Sequence, residues 1–188
     1  MKNIFFTLAL LISLSSFSQS DLKEEFQNYL TTYADAYNDG DWDYVSSSWY
    51  PKLFEVLPKN QLIQQLQQLI DMGFDMSLLN PRLYKISEIV NYEGLQYCRL
   101  YYNSLIIIKI TGDQFDVNIL EQNFNMMYGK ENITYDGVEK KYSIKANQSM
   151  IAVLEIDGKE WKYFEYNEKE KEFLKFLLPE YVYEKLNN

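Results

Sequence analysis

The sequence predicts an α+β domain in which N-terminal helices pack in the concavity of a curved antiparallel sheet, followed by a C-terminal helical tail. Three observations lead there. Apolar residues return at three- and four-residue steps between Leu22 and Ile70, the spacing of helices that bury one face. After Pro81 the pattern changes to runs rich in Tyr, Ile, Leu and Val with turn residues between them, as in hairpin-linked strands. No repeat, low-complexity tract or linker separates the halves, so residues 19–188 read as a single domain.

The first helix is expected over 21–38, where Leu22, Phe26, Tyr29, Leu30, Tyr33, Ala36 and Tyr37 recur at helical steps. Gly40 ends it, because glycine enters the left-handed region without a Cβ penalty. Asp41 then caps a short second helix through "WDYVSSSW" by accepting backbone N–H bonds at its positive end. A third helix follows in "PKNQLIQQLQQLIDMG", with Leu62, Ile63, Leu66, Leu69 and Ile70 on one face, glutamines on the other and Gly73 as its stop. "RLYKISEIV" and the run from Leu95 to Ile110 are expected to pair as a hairpin around "NYEG". Residues 116–128 return to helical spacing through Val117, Leu120, Phe124, Met127 and Tyr128. Strands resume in "KKYSIKA" and "SMIAVLEI", and an Asp-Gly turn at "DGKE" leads into "WKYFEY". The tail, about 168–188, reads as two helical pieces, with Pro179 suited to the first turn of the second.

The first eighteen residues carry Lys2, an apolar run from Ile4 to Ile12 and the small-residue stretch up to Ser18. That order reads as a secretory signal peptide, cut between Ser18 and Gln19 with Ser20 as the alternative, and the run is far short of the roughly 20 residues a bilayer span requires. With no cysteine at the cleavage point, the expectation is a secreted or periplasmic protein and not a lipoprotein. Later in the chain the longest apolar run, Leu105 to Ile108, suits a buried strand, so no membrane span is expected. A formal charge of −9 without a basic cluster argues against nucleic acid as partner.

The chain has no histidine and one cysteine, Cys98. That absence removes Ser-His-Asp and Cys-His nucleophile pairs, histidine bases and the usual zinc sites together. Cys98, inside "LQYCRLYY", reads as a small buried hydrophobe. The alternating Asp39, Asp41 and Asp43 invite a calcium reading, but a loop starting at Asp39 would place Tyr44 and Tyr50 where glycine and a bidentate glutamate belong. The helix-corner reading explains Gly40 and Asp41 without metal, and neither metal nor cofactor is expected.

"YADAYNDGDWDYVSSSWYP" at the front and "YGKENITYD" with "SMIAVLEIDGKEWKYFEY" at the back, taken with the element order, resemble the nuclear transport factor 2-like superfamily. The resemblance implies a cone-shaped sheet wrapped around a long helix with a cavity between them. Catalytic branches of that superfamily place acidic residues with tyrosine or histidine inside the cone; no catalytic motif matches here, and no catalytic residue is carried over. The segment 111–131 and the tail beyond Tyr166 exceed the minimal fold.

Seventeen tyrosines and three tryptophans supply candidates for a ligand cavity. Trp49, Tyr101 and Trp161 are singled out, although each ring alone is explained by core packing. Glu155, set among Val153, Leu154 and Ile156, is a carboxylate that would matter if it faced inward. Asn132 and Asn147 match the glycosylation acceptor pattern. The functional expectation is a non-catalytic domain that binds an apolar small molecule or acts through protein contacts, including a homodimer through the sheet. The alternative is a small isomerase, dehydratase or hydrolase using Asp or Glu with Tyr. A carboxylate and a tyrosine converging on the floor of the cone would distinguish the second from the first.

Overall fold

A computed structural model describes residues 19–155 and 158–187. The signal peptide and its cut after Ser18 lie outside the described residues, as do Ile156 and Asp157 of the expected turn. Three helices come first: α1 (Gln19–Asp39), α2 (Trp42–Ser47) and α3 (Lys59–Asp71). Strands β1 (Phe74–Ile86), β2 (Val90–Tyr92) and β3 (Leu95–Ile110) follow, then α4 (Val117–Tyr128). The chain closes with β4 (Ile133–Asp136), β5 (Lys141–Glu155), β6 (Lys162–Glu165), α5 (Lys171–Leu177) and α6 (Glu180–Asn187). The strands form one six-stranded sheet in the order β1-β3-β5-β4, with β2 also on β3 and β6 also on β5, every pair antiparallel.

Two strand boundaries differ from the sequence reading. β1 begins directly after Gly73 and carries Pro81 within it, instead of starting beyond the proline. The ladder tolerates this because β1 is an edge strand and its register with β3 breaks between Leu79 and Arg82, so the missing proline N–H falls where no ladder bond is needed. β5 runs unbroken from Lys141 to Glu155, through Asn147, Gln148 and Ser149, where two strands were expected. The "NYEG" hairpin forms as expected between β2 and the start of β3, with Glu93 and Gly94 both at positive φ as such tight turns require.

Alternation along β3 sorts the core into two faces. Cys98, Leu100 and Tyr102 point toward α1 and pack with Leu22, Phe26 and Leu30, together with Met150, Ala152, Trp161 and Tyr163. On the same face farther along, Ile106, Ile108 and Ile110 meet Tyr142, Ile144 and Phe124 of α4. The other face is not bare. Tyr97, Ile151, Val153, Phe164 and Tyr166 are covered by Leu174, Leu177, Leu178, Val182 and Leu186 of the tail. The tail is therefore half of a core, and the homodimer surface expected on the sheet is occupied at this end by α5 and α6. The free edge of β1 is met by side-chain amides of α1, Asn38 and Gln27.

Candidate functional site

The three aromatic candidates do not line one cavity. Trp161 is 7% exposed and packs edge-on against Phe26, ring centroids 5.1 Å apart. Trp49 is half-buried and donates its indole N–H to the Tyr33 hydroxyl at 3.3 Å. Tyr101 lies on the opposite side of the sheet, between the ammonium of Lys85 at 4.9 Å and the guanidinium of Arg99 at 4.7 Å from its ring centroid. The sheet itself separates Tyr101 from Trp161. Glu155 also points away from α1: it is exposed, faces Leu95 across the ladder, and lines a cavity of about 520 Å³ with Tyr50, Lys52, Val153 and Lys162.

A different carboxylate occupies the concavity. β6 pairs with β5 so that Glu165 stands opposite Met150, a member of the α1-facing core, while its neighbour Phe164 packs under the tail. Glu165 is solvent-exposed by its own surface, yet tyrosines of α1, of β3 and of the end of α4 stand near enough to feel its charge. Tyr102, 5% exposed on β3, donates its hydroxyl to Glu165 Oε1 at 2.9 Å. Desolvation by the surrounding protein pushes the Glu165 carboxyl up to about 7; the Tyr102 hydrogen bond opposes that shift and the negative charge of Glu170 adds to it. No lysine or arginine among the described residues pairs with Glu165.

Tyrosines surround this carboxyl. Tyr33 of α1 and Tyr128 at the end of α4 are both raised, first by burial; the nearby Glu165 charge raises both further. Tyr102 is held well above the usual phenol range for the same reasons, so it remains a donor. An indole N–H can only donate, so the Tyr33 oxygen accepts from Trp49 and its own proton is left to point elsewhere. Gln148 faces the same side, opposite Tyr102 on the ladder. Its Oε1 accepts from the Ser104 hydroxyl at 2.7 Å, and its amide N–H groups have no partner among the described residues. This side of the sheet thus carries one carboxyl raised toward neutrality with phenol groups near it, and the amide of Gln148 opposite Tyr102.

Asp41 and Cys98 serve structure. Asp41 accepts the Tyr44 N–H at 3.0 Å, which is the helix-cap role expected of it. Cys98 is fully buried and its thiol is pushed up to about 11 by burial, against its hydrogen bonds with Ser87. Asn132 donates to the Tyr128 carbonyl at 2.8 Å, and Asn147 is exposed within β5. Among the described residues no three His, Cys, Asp or Glu side chains gather as a metal site, and no helix is long and apolar enough to cross a membrane. A second cavity of about 560 Å³ lies between α1 and β1, lined by Gln27, Thr31, Asp35, Asn38 and Arg82.

Sequence reasoning missed Glu165, although a signal was present. Alternation through "WKYFEY" puts Trp161, Tyr163 and Glu165 on one side, so a carboxylate shares the face of two large rings. Compared with protein-family models, curated proteins and solved structures, the chain matches none.

Proposed function

We propose that the protein is an exported domain of the nuclear transport factor 2-like kind that takes a small organic molecule into the recess between α1 and the sheet, with Glu165 as the group that meets it. The observation that carries this reading is the Tyr102–Glu165 pair: a solvent-reached carboxyl, raised toward neutrality and held by a buried phenol on the α1-facing side of the sheet. Concave sites with a few convergent polar groups and one perturbed titratable group are the usual form of small-molecule sites. The test is native mass spectrometry of protein purified from its own host. A co-purifying molecule that is retained by the wild type and lost from Glu165→Gln supports the reading; a molecule bound equally by both places the site elsewhere.

The same pair favours a second reading, a small isomerase, dehydratase or hydrolase. A carboxyl whose pKa lies near the working pH, fixed by a phenol donor, is suited to move a proton to and from a bound substrate. Conversion of the co-purifying molecule on prolonged incubation, abolished in Glu165→Gln while binding persists, would favour catalysis. Recovery of the molecule unchanged would favour binding alone.

A further inference from the structure

We infer that the seam between α1 and the edge strand β1 is a second binding site, for a short extended peptide with free ends, its ammonium on Asp35 and its carboxylate on Arg82. Asn38 binds the β1 backbone at Leu78, and Gln27 binds it at Pro81 and Leu83, so helix and strand are clamped at two places. The rise along the helix from Gln27 to Asn38 is about 16 Å, and the rise along the strand from Leu78 to Leu83 is about the same, so the two run in step between the clamps. Between the clamps they part around the cavity of about 560 Å³, within the size range of small-ligand sites. Both walls have a local reason to stand apart. Ala34, 3% exposed, presents only a methyl group, where Leu30 and Tyr37, one turn to either side, carry large side chains. On the strand the register with β3 breaks between Leu79 and Arg82, and Asn80 takes a φ of 51°, in the left-handed region that asparagine tolerates. Such a bulge bends the strand and re-aims its side chains.

The polar groups of the lining divide into two sets. The amides of Gln27 and Asn38 are engaged with backbone and serve the walls. The side chains of Asp35, Asn80 and Arg82 make no hydrogen bond or ion pair among the described residues, and Asp35 and Arg82 are the charged members of the lining. Taken from the clamps, Arg82 stands level with Gln27 and Asp35 level with Leu79, about 10 Å apart along the seam with Asn80 between them. A free carboxylate takes an ammonium, and a guanidinium takes a carboxylate through its fork of N–H donors. A side-chain amide supplies the donor and the acceptor that a peptide group requires. Extended backbone advances about 3.3 Å per residue, so two or three residues join the charged ends. An ion of one sign would leave the opposite charge unmatched, and a single amino acid is too short to reach both. Neither Glu165 nor Tyr102 lines this cavity, so the two sites are separate.

The experiment is an NMR titration of the intact, isotope-labelled protein with trialanine, N-acetyl-trialanine and trialanine amide. Trialanine is expected to bind, with backbone shifts gathered on Thr31, Ala34, Asp35, Asn80 and Arg82. Acetylation and amidation should each weaken it about fivefold, as should Asp35→Asn and Arg82→Gln, whose side chains hold no contact that folding needs. The losses should pair: Asp35→Asn should no longer distinguish trialanine from its acetyl form, and Arg82→Gln should no longer distinguish it from its amide. Absence of trialanine binding overturns the assignment, as does binding that survives both substitutions or shifts gathered elsewhere on the molecule. A loss with only one of the two capped forms shows a site for a single ion and overturns the peptide class.

Discussion

The side chain of Asn38 pairs with the backbone of Leu78 as a neighbouring strand would: its Nδ2 donates to the Leu78 carbonyl and its Oδ1 accepts the Leu78 N–H, both at 2.8 Å. Gln27, three turns earlier on α1, brackets Arg82 further along β1, donating to the Pro81 carbonyl at 2.9 Å and accepting the Leu83 N–H at 2.8 Å. An edge strand offers unpaired backbone groups to any passing chain, and these two amides close that edge while locking α1 across the sheet.

Asn38→Ala is expected to lower stability by about 1 to 2 kcal/mol, the usual worth of two partly exposed hydrogen bonds. Urea unfolding checks it: the midpoint should fall with little change in slope. The double variant with Gln27→Ala should also associate at high concentration, read by light scattering, because the edge of β1 is then open.

The Glu165 carboxyl gives a pH-dependent stability whose sign follows from its raised value. It is about 7 in the folded protein against an ordinary 4.5, so between these values the folded state holds a proton that the unfolded state has lost. Stability from this group is full below pH 4.5 and is lost as pH rises through 7. Since solvent reaches the side chain, the loss is expected to be about 1 kcal/mol rather than the full value of the shift. Thermal unfolding of wild type and Glu165→Gln across pH 4 to 8 tests it: the wild type should lose stability relative to the variant as pH rises. A constant difference would contradict the assignment.

Arg99 pins the tail to the sheet. It is 7% exposed, lies 3.6 Å from the Tyr166 ring centroid, and donates to Ser149 Oγ at 3.2 Å, Asn187 Oδ1 at 2.9 Å and Glu168 Oε1 at 3.3 Å. Arg99→Ala is expected to cost about 2 to 4 kcal/mol through lost packing, ring contact and hydrogen bonds. Glu168→Ala should cost less than about 0.5 kcal/mol, because that carboxylate is mostly in water. Denaturant midpoints of the two variants measure the contrast, and equal costs would refute it.

Cys98 should be silent in the native state. It is buried against α1 and its thiol is held at about 11, so little thiolate exists at pH 8. Reaction with a soluble disulfide reagent is expected to be slow in buffer and complete once denaturant passes the unfolding midpoint. Fast labelling of the folded protein would show that the α1 face opens readily.

Much of the fold was legible along the chain. α1, α3 and α4 follow their apolar spacing, and the cap at Asp41 is local chemistry. Both misread boundaries have long-range causes. Pro81 looks like a strand breaker until the sheet order shows β1 at an edge. Asn147, Gln148 and Ser149 look like a break in β5 because they are polar, but Gln148 faces the recess and Ser149 faces Arg99. Their polarity marks what lies on either side of the sheet, not a turn.

By itself, the sequence determined the α+β class, the helical and strand periods, the acidic balance and a chemistry without imidazole, since each of these is a property of composition or of neighbours a few residues apart. Only the tertiary structure decided that Glu165 and not Glu155 enters the concavity, that Tyr101 and Trp161 stand on opposite sides, and that the tail completes a core. Period-two alternation shows which residues share a face of a strand. Which face meets α1 depends on the register between β3, β5 and β6, a long-range choice made by the packing of all three cores together.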